Sequence, residues 1–244
     1  MDYAAWTRRA SIFLRSLTTL PGEIEINDGI KPPGTDAYTR DWLRSDKCSL
    51  PPELKTFVAT ASCRCCFNYC WKPPESLQVE LGALLPGHPE VTGGADLCES
   101  ARFHNYDNRG RFQHDLPLLL GEAASSDMES LLKSTGATDS ERIQGRIALL
   151  SLPNGDRISL VDAAQGPRPV VFVPSTDSGK GRIISDSFDQ FLSDWEQLCY
   201  ITPSLTNLVP WLDPVSGRLN PHHGKAAQLR EFLTTMASGK RGSP

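Results

Sequence analysis

Four of the seven cysteines, Cys63, Cys65, Cys66 and Cys70, fall within the stretch SCRCCFNYCW at 62–71. Thiols at that density are the usual material of a structural zinc site or a redox pair. Zinc needs four ligands that converge at about 2.3 Å, generally from paired C-x2-C knuckles. The spacing here is C-x-C-C-x-x-x-C, which is not that pattern. Its alternation predicts a strand instead, with Cys63, Cys65, Phe67, Tyr69 and Trp71 on one face and Arg64, Cys66, Asn68, Cys70 and Lys72 on the other. Cys66 and Cys70 would then stand roughly 13 Å apart along the strand and could not share an ion. Free cysteine packs as a small hydrophobe, so these thiols are expected to fill a half-buried strand, and no metal or cofactor is expected.

The other groups with chemical potential are as poorly spaced. The five histidines are His88, His104, His114, His222 and His223, and no HExxH or comparable ligand spacing joins them. The segment DSGKG at 177–181 suggests a phosphate loop. It lacks the leading glycine and the Ser/Thr after the lysine, and it precedes a short strand, so it reads as a hairpin turn. No serine sits in a nucleophile elbow. No catalytic residue is expected, and the chain is not expected to be an enzyme. A metal-dependent enzyme using His222, His223 or the acidic side chains is the weakest alternative.

These residues must be placed by a chain of 244 residues, long enough to build a core without covalent staples. Hydrophobic residues are 39% and charged residues 22%, a globular balance that excludes wholesale disorder and coiled coil. Arg8, Arg9 and Arg15 interrupt the first apolar residues, so no export signal is read, and no apolar run approaches the ~20 residues of a membrane span. A cytoplasmic location is expected, and an odd number of thiols there argues against a disulfide framework. A net charge of −4 is of the wrong sign for nucleic-acid binding.

Apolar spacing predicts a helix over 3–20 carrying Tyr3, Trp6, Ala10, Phe13, Leu14 and Leu17 on one face. An edge strand or irregular loop is expected around Ile24 and Ile26, and a short helix capped by Asp36 is expected through Trp42 and Leu43. SLPPELKTFVATA predicts a helix with its prolines in the first turn and Leu54, Phe57 and Val58 inward. QVELGALL (78–85) reads as a strand, and 91–117 shows no clear pattern. RIALLSL and RISLV flank Pro153-Asn154-Gly155-Asp156, a hairpin signal, and PVVFVP and RII continue the sheet. A helix after Asp186 places Phe188, Phe191, Leu192, Trp195, Leu198 and Cys199 on one arc, and a last helix carries Leu229, Phe232, Leu233 and Met236.

The segment LPNGDRISLVDAAQGPRPVVFVPSTDSGKGRIISDSFDQFL resembles the C-terminal half of the SUKH superfamily. The match lies in Asn154-Gly155-Asp156, Asp162, Val170 to Val173, Gly179, Gly181 and Asp186-Ser187-Phe188 with Phe191-Leu192, while LPPELKTFVATAS is similar to the family's first helix. The resemblance implies an α+β fold, SUKH-like, with a mixed or antiparallel sheet backed by helices and extra helical segments at both ends. One domain over 1–244 is expected, with its core at about 36–200, an N-terminal helix at 3–20 and a C-terminal extension at 203–244. The family takes in bacterial toxin-immunity proteins and a fungal cell-wall assembly regulator. The implied function is therefore non-enzymatic binding of a cognate protein toxin, such as a basic nuclease, with an intracellular scaffold or regulatory protein as the alternative. No nucleic-acid or membrane partner is expected.

Two stretches are candidates for the binding surface. Asp186, Asp189 and Glu196 lie in a run, 183–200, that has four acids and no base, a charge suited to steering a basic partner. Tyr106, Arg109, Arg111 and Phe112 in HNYDNRGRF are of the types that anchor interfaces. From Gly217 to the end the balance reverses, with five bases and one acid.

Overall fold

The computed structural model describes residues 1–31, 33, 51–62, 64–85, 90–97, 143–151, 157–163, 168–173, 182–201 and 211–237. Helix α1 (Tyr3–Leu17) starts where the Asp2 carboxylate accepts the Ala5 N–H at 2.8 Å. It buries Tyr3, Trp6, Thr7, Ala10, Leu14 and Leu17, the face that the spacing predicts, with Phe13 half-buried beside them. The helix stops at Leu17, short of the expected Leu20, where the N–H groups of Thr18, Thr19 and Leu20 turn back to the carbonyls of Arg15, Ser16 and Leu17 in the tighter three-residue pattern before Pro21.

A three-stranded antiparallel sheet follows in the order β1-β2-β3, with β1 at Glu23–Lys31, β2 at Arg64–Lys72 and β3 at Val91–Leu97. The cysteine stretch is thus the central strand. Cys65, Phe67, Tyr69 and Trp71 are buried, while Asn68 is exposed and Cys66 and Cys70 are half-buried, the alternation read from the sequence. Helix α2 (Pro52–Thr60) precedes β2 and buries Leu54, Phe57 and Val58, as predicted.

Two expectations are corrected here. QVELGALL is not a strand; it lies in helix α3 (Glu75–Leu84). The alternation Val79-Glu80-Leu81-Gly82 imitates a strand, yet Val79 is 86% exposed, while Leu77, Leu81 and Leu84 form the helical face that packs inward. A Pro-Pro-Glu run leads into both helices, with Pro51 capping α2 and Pro52 its first residue, and Pro74 capping α3 and Glu75 its first residue. The patternless region after it contains β3, whose Gly93 and Gly94 hide its alternation. The helix expected from Asp36 lies outside the described residues.

The second sheet is an antiparallel meander, β4 (Ile143–Ser151), β5 (Arg157–Ala163), β6 (Val170–Val173) and β7 (Arg182–Ser185), paired in sequence order. Ser151 stands opposite Arg157, Arg157 opposite Val173 and Val170 opposite Ser185. Helix α4 (Phe188–Gln197) follows, capped by Ser187 Oγ accepting the Gln190 N–H at 3.1 Å. Phe188, Phe191, Leu192, Trp195, Leu198 and Cys199 are all buried, and burial of six such groups contributes on the order of 10 kcal/mol before chain entropy is counted.

The α+β organisation is therefore one of helices and two antiparallel sheets, and most of the buried residues form one cluster that runs from Tyr3 to Met236. Trp6 of α1 is wholly buried, donates Nε1–H to Leu192 O at 3.0 Å and touches the rings of Phe57, Phe67, Trp195 and Tyr200. Helix α5 (Gly224–Ala237) buries Leu229, Phe232, Leu233 and Met236, and Phe232 packs on Trp71 of β2 at 5.8 Å between ring centroids. Both end helices thus complete the core, although the sequence presents them as additions to it. Among the described residues, no helix is long and apolar enough to cross a membrane.

Candidate partner-binding surface

The acids of 183–200 were expected to form an open negative face. The fold gives three of them partners from its own chain. Asp186, at the end of β7, receives the Arg218 guanidinium at 2.7 Å. Asp189, in the first turn of α4, accepts the Tyr3 hydroxyl at 2.5 Å, and the Met1 amino group lies 2.9 Å from its other oxygen. Glu196, two turns on, holds Arg9 in a two-point pair whose Nη2–Oε2 contact is 2.8 Å, and that hydrogen bond raises the Arg9 pKa. The fourth acid, Asp194, is buried and accepts Gln190 Nε2 at 2.7 Å. Burial pushes its carboxyl up, opposed by Gln190 and by the nearby His222 charge.

Helix α4 therefore presents matched charges. Each exposed pair is worth only ~0–1 kcal/mol, so a strongly basic partner could still displace Arg9 or Arg218 at small cost, but the field that would steer it is largely cancelled. The sequence held the missed signal. The five bases after Gly217 include Arg218, which answers Asp186, and Arg230, whose guanidinium donates to Gln197 O at the end of α4 and to Pro221 O at 2.6 and 2.9 Å. The opposed charges of the two segments serve to dock one on the other. Tyr106, Arg109, Arg111 and Phe112, the other candidate surface, lie outside the described residues.

Past α4 the chain makes a costly turn. Cys199 and Tyr200 have φ of 57° and 54°, left-handed values that non-glycine residues seldom adopt. Three contacts fix the turn to the first sheet: the Tyr69 hydroxyl donates to Cys199 O at 2.6 Å, Gly94 N–H donates to Tyr200 O at 2.6 Å, and Ile201 forms a bridge with Gly93. A side chain at Gly93 would strike the Tyr69 ring, and one at Gly94 would strike Phe67 O, so both glycines are required for this approach. The turn thereby covers the free edge of β3. In the same way Leu219 N–H donates to Ile184 O at 2.9 Å and covers the edge of β7.

Among the described residues, the cysteines and histidines do not converge. Cys65 and Cys199 are buried, and burial pushes the Cys199 thiol up to about 12, far from a reactive thiolate. Burial and then the neighbouring Glu90 raise the Cys70 thiol as well. His222 and His223 sit in the turn that leads to α5, where His223 Nδ1 accepts the Lys225 N–H at 3.3 Å. Among the described residues, no group of three or more His, Cys, Asp or Glu is arranged to hold a metal ion.

No protein-family model, no curated protein and no solved structure matches the chain.

Strand β1, which the sequence reading left unassigned to any function, differs from the other edges. Its solvent-side chains Glu23 and Glu25 are exposed, and among the described residues neither takes part in an ion pair. Among the described residues, the Asp28 carboxylate meets only the Ser11 hydroxyl of α1, which donates to it at 3.4 Å.

Proposed function

We propose that the chain is a non-enzymatic binding protein of SUKH type, an immunity protein that neutralises a cognate bacterial toxin in the cytoplasm by direct contact. The observation that carries this reading is the order from β4 to α4. An antiparallel meander passes directly into a helix that Ser187 caps and that Phe188, Phe191 and Leu192 bury, at the residues on which the resemblance rests. The α2 helix supports it further, since its Pro-Pro-Glu opening and buried Phe57 fall where the resemblance places the family's first helix. Such a protein acts by occupying a toxin's active site or by blocking its substrate's approach, so it needs a recognition surface and no reactive group of its own.

The test pairs a pull-down against the product of the adjacent upstream gene with growth rescue of cells that express that product. Capture and rescue are the expected results. Absence of both removes the proposal.

A further inference from the structure

Resting on the binding reading above, we infer that the outer edge of β1 is the docking strand, and that it takes an extended partner segment with basic residues at alternate positions. A sheet edge carries a row of unpaired backbone N–H and C=O groups that a further strand can complete. The two described sheets have four edges. The edge of β3 is met by Tyr200 and Ile201, that of β7 by Leu219, and β4 packs beside β3. Among the described residues, no backbone segment other than β2 hydrogen-bonds to β1, which runs for nine residues. That length suits a partner strand.

Charge selects the occupant. The sequence EIEINDGIK carries three acids and one base, and among the described residues Lys72, across from Glu23 on β2, is the one cation in register with its exposed acids. Laid antiparallel in full register against this edge, a second copy would set Glu23 against Lys31 and Glu25 against Gly29, so it answers one acid of each strand where a strand with a base at every outer position answers both. The two sides of an added strand meet different surroundings. On the solvent side it would lie beside Glu23 and Glu25. On the core side it would lie below the flank of α1 that holds Ser11, with Arg8 and Arg15 one turn away in either direction. Lysine or arginine is thus favoured on the outer side chains alone, and neutral residues on the inner ones.

The probe is a peptide that alternates lysine and valine and is long enough to span β1, with a companion in which proline replaces valine. The companion keeps the charge but cannot form a ladder. Binding is followed by fluorescence polarisation at low salt, and amide hydrogen exchange is measured on the full chain with and without peptide. The expected result is binding of the lysine-valine peptide, slowed exchange at alternate β1 amides, and at least about tenfold weaker binding both for the proline peptide and for the Glu23→Lys/Glu25→Lys protein. The milder Glu25→Gln variant serves if the double reversal fails to fold.

Three results would each overturn the inference: no binding, equal binding of the proline peptide, or β1 outer amides already protected in the free chain. The last would mean that a segment of this chain occupies the edge. If the toxin is captured while β1 exchange stays unchanged, the edge is wrong and the binding reading stands. If the peptide adds to β1 but no partner is captured and no growth is rescued, the reverse holds.

Discussion

The first sheet has two edges that the molecule treats in opposite ways. On the β3 side the chain closes over itself: a left-handed turn at Cys199 and Tyr200 is held by Tyr69, Gly93 and Gly94, Asp189 and Glu196 of the adjoining α4 helix are matched by Tyr3 and Arg9, and Asp186 just before it is matched by Arg218. On the β1 side the described chain adds no strand, and Glu23 and Glu25 stand exposed. Helix α1 lies between the two and serves both. One flank supplies Arg9 to Glu196, and the other reaches Asp28 only through Ser11. Negative charge in a sequence therefore does not locate a negative surface; what matters is which acids the fold leaves without a counter-charge.

The largest break in this comparison comes from removing the residue that holds α1 between the two sides. Trp6→Ala deletes a wholly buried indole and its bond to Leu192 O, and denaturant unfolding should show a loss of about 3–5 kcal/mol. A loss below about 1 kcal/mol would mean that α1 is peripheral. Next, Gly93→Ala forces a methyl group into the Tyr69 ring at the closed edge. It should cost about 1–3 kcal/mol by overpacking and should speed amide exchange at Gly94.

Two tyrosines then sharpen the account of that turn. Tyr69→Phe removes a buried hydrogen bond to Cys199 O and should cost about 0.5–1.5 kcal/mol. The Tyr200 hydroxyl is buried with no partner among the described residues, so Tyr200→Phe should be neutral or stabilising in the same unfolding assay. A smaller effect is expected for the matched surface charges. A double-mutant cycle on Arg9 and Glu196 should give a coupling of about 0.2–1 kcal/mol that weakens in salt.

The remaining acid of α4 offers a pH test. Because burial raises the Asp194 carboxyl, the folded state holds its proton more tightly than the unfolded chain does. The stability that this proton contributes is present below the unfolded aspartate range and is lost as pH rises through the higher folded value. Asp194→Asn should therefore raise Tm at neutral pH and flatten that part of the stability profile, as measured by thermal scans across the acidic range. An unchanged profile would show that Asp194 does not titrate differently in the fold.

Much of this architecture was legible in the sequence. The cysteine strand and α4 follow strict periods because each lies between a packed layer and solvent, whereas the meander is legible as short apolar runs bounded by turn residues, buried at consecutive positions such as Ile158 to Val161 and Val170 to Phe172. Helix α3 was misread because four alternating residues around Val79 outweighed the Pro-Pro-Glu opening that it shares with α2. Strand β3 was missed because the glycines that let the Tyr200 turn approach also erase its hydrophobic pattern.

The surface was harder to read than the core. Charge runs identified the acids of α4 and the bases after Gly217 separately, but only the fold pairs Arg218 with Asp186 across 32 residues and Arg9 with Glu196 across 187. The same pairing logic in reverse makes β1 stand out, since its acids attracted no attention in a short, turn-flanked segment.

The most direct test of the account is amide hydrogen exchange on the full chain with and without the captured product of the adjacent gene. The account predicts slowed exchange across 23–31 and little change across 186–197, whose charges the fold already uses. Protection centred on 186–197, with β1 unchanged, would contradict it.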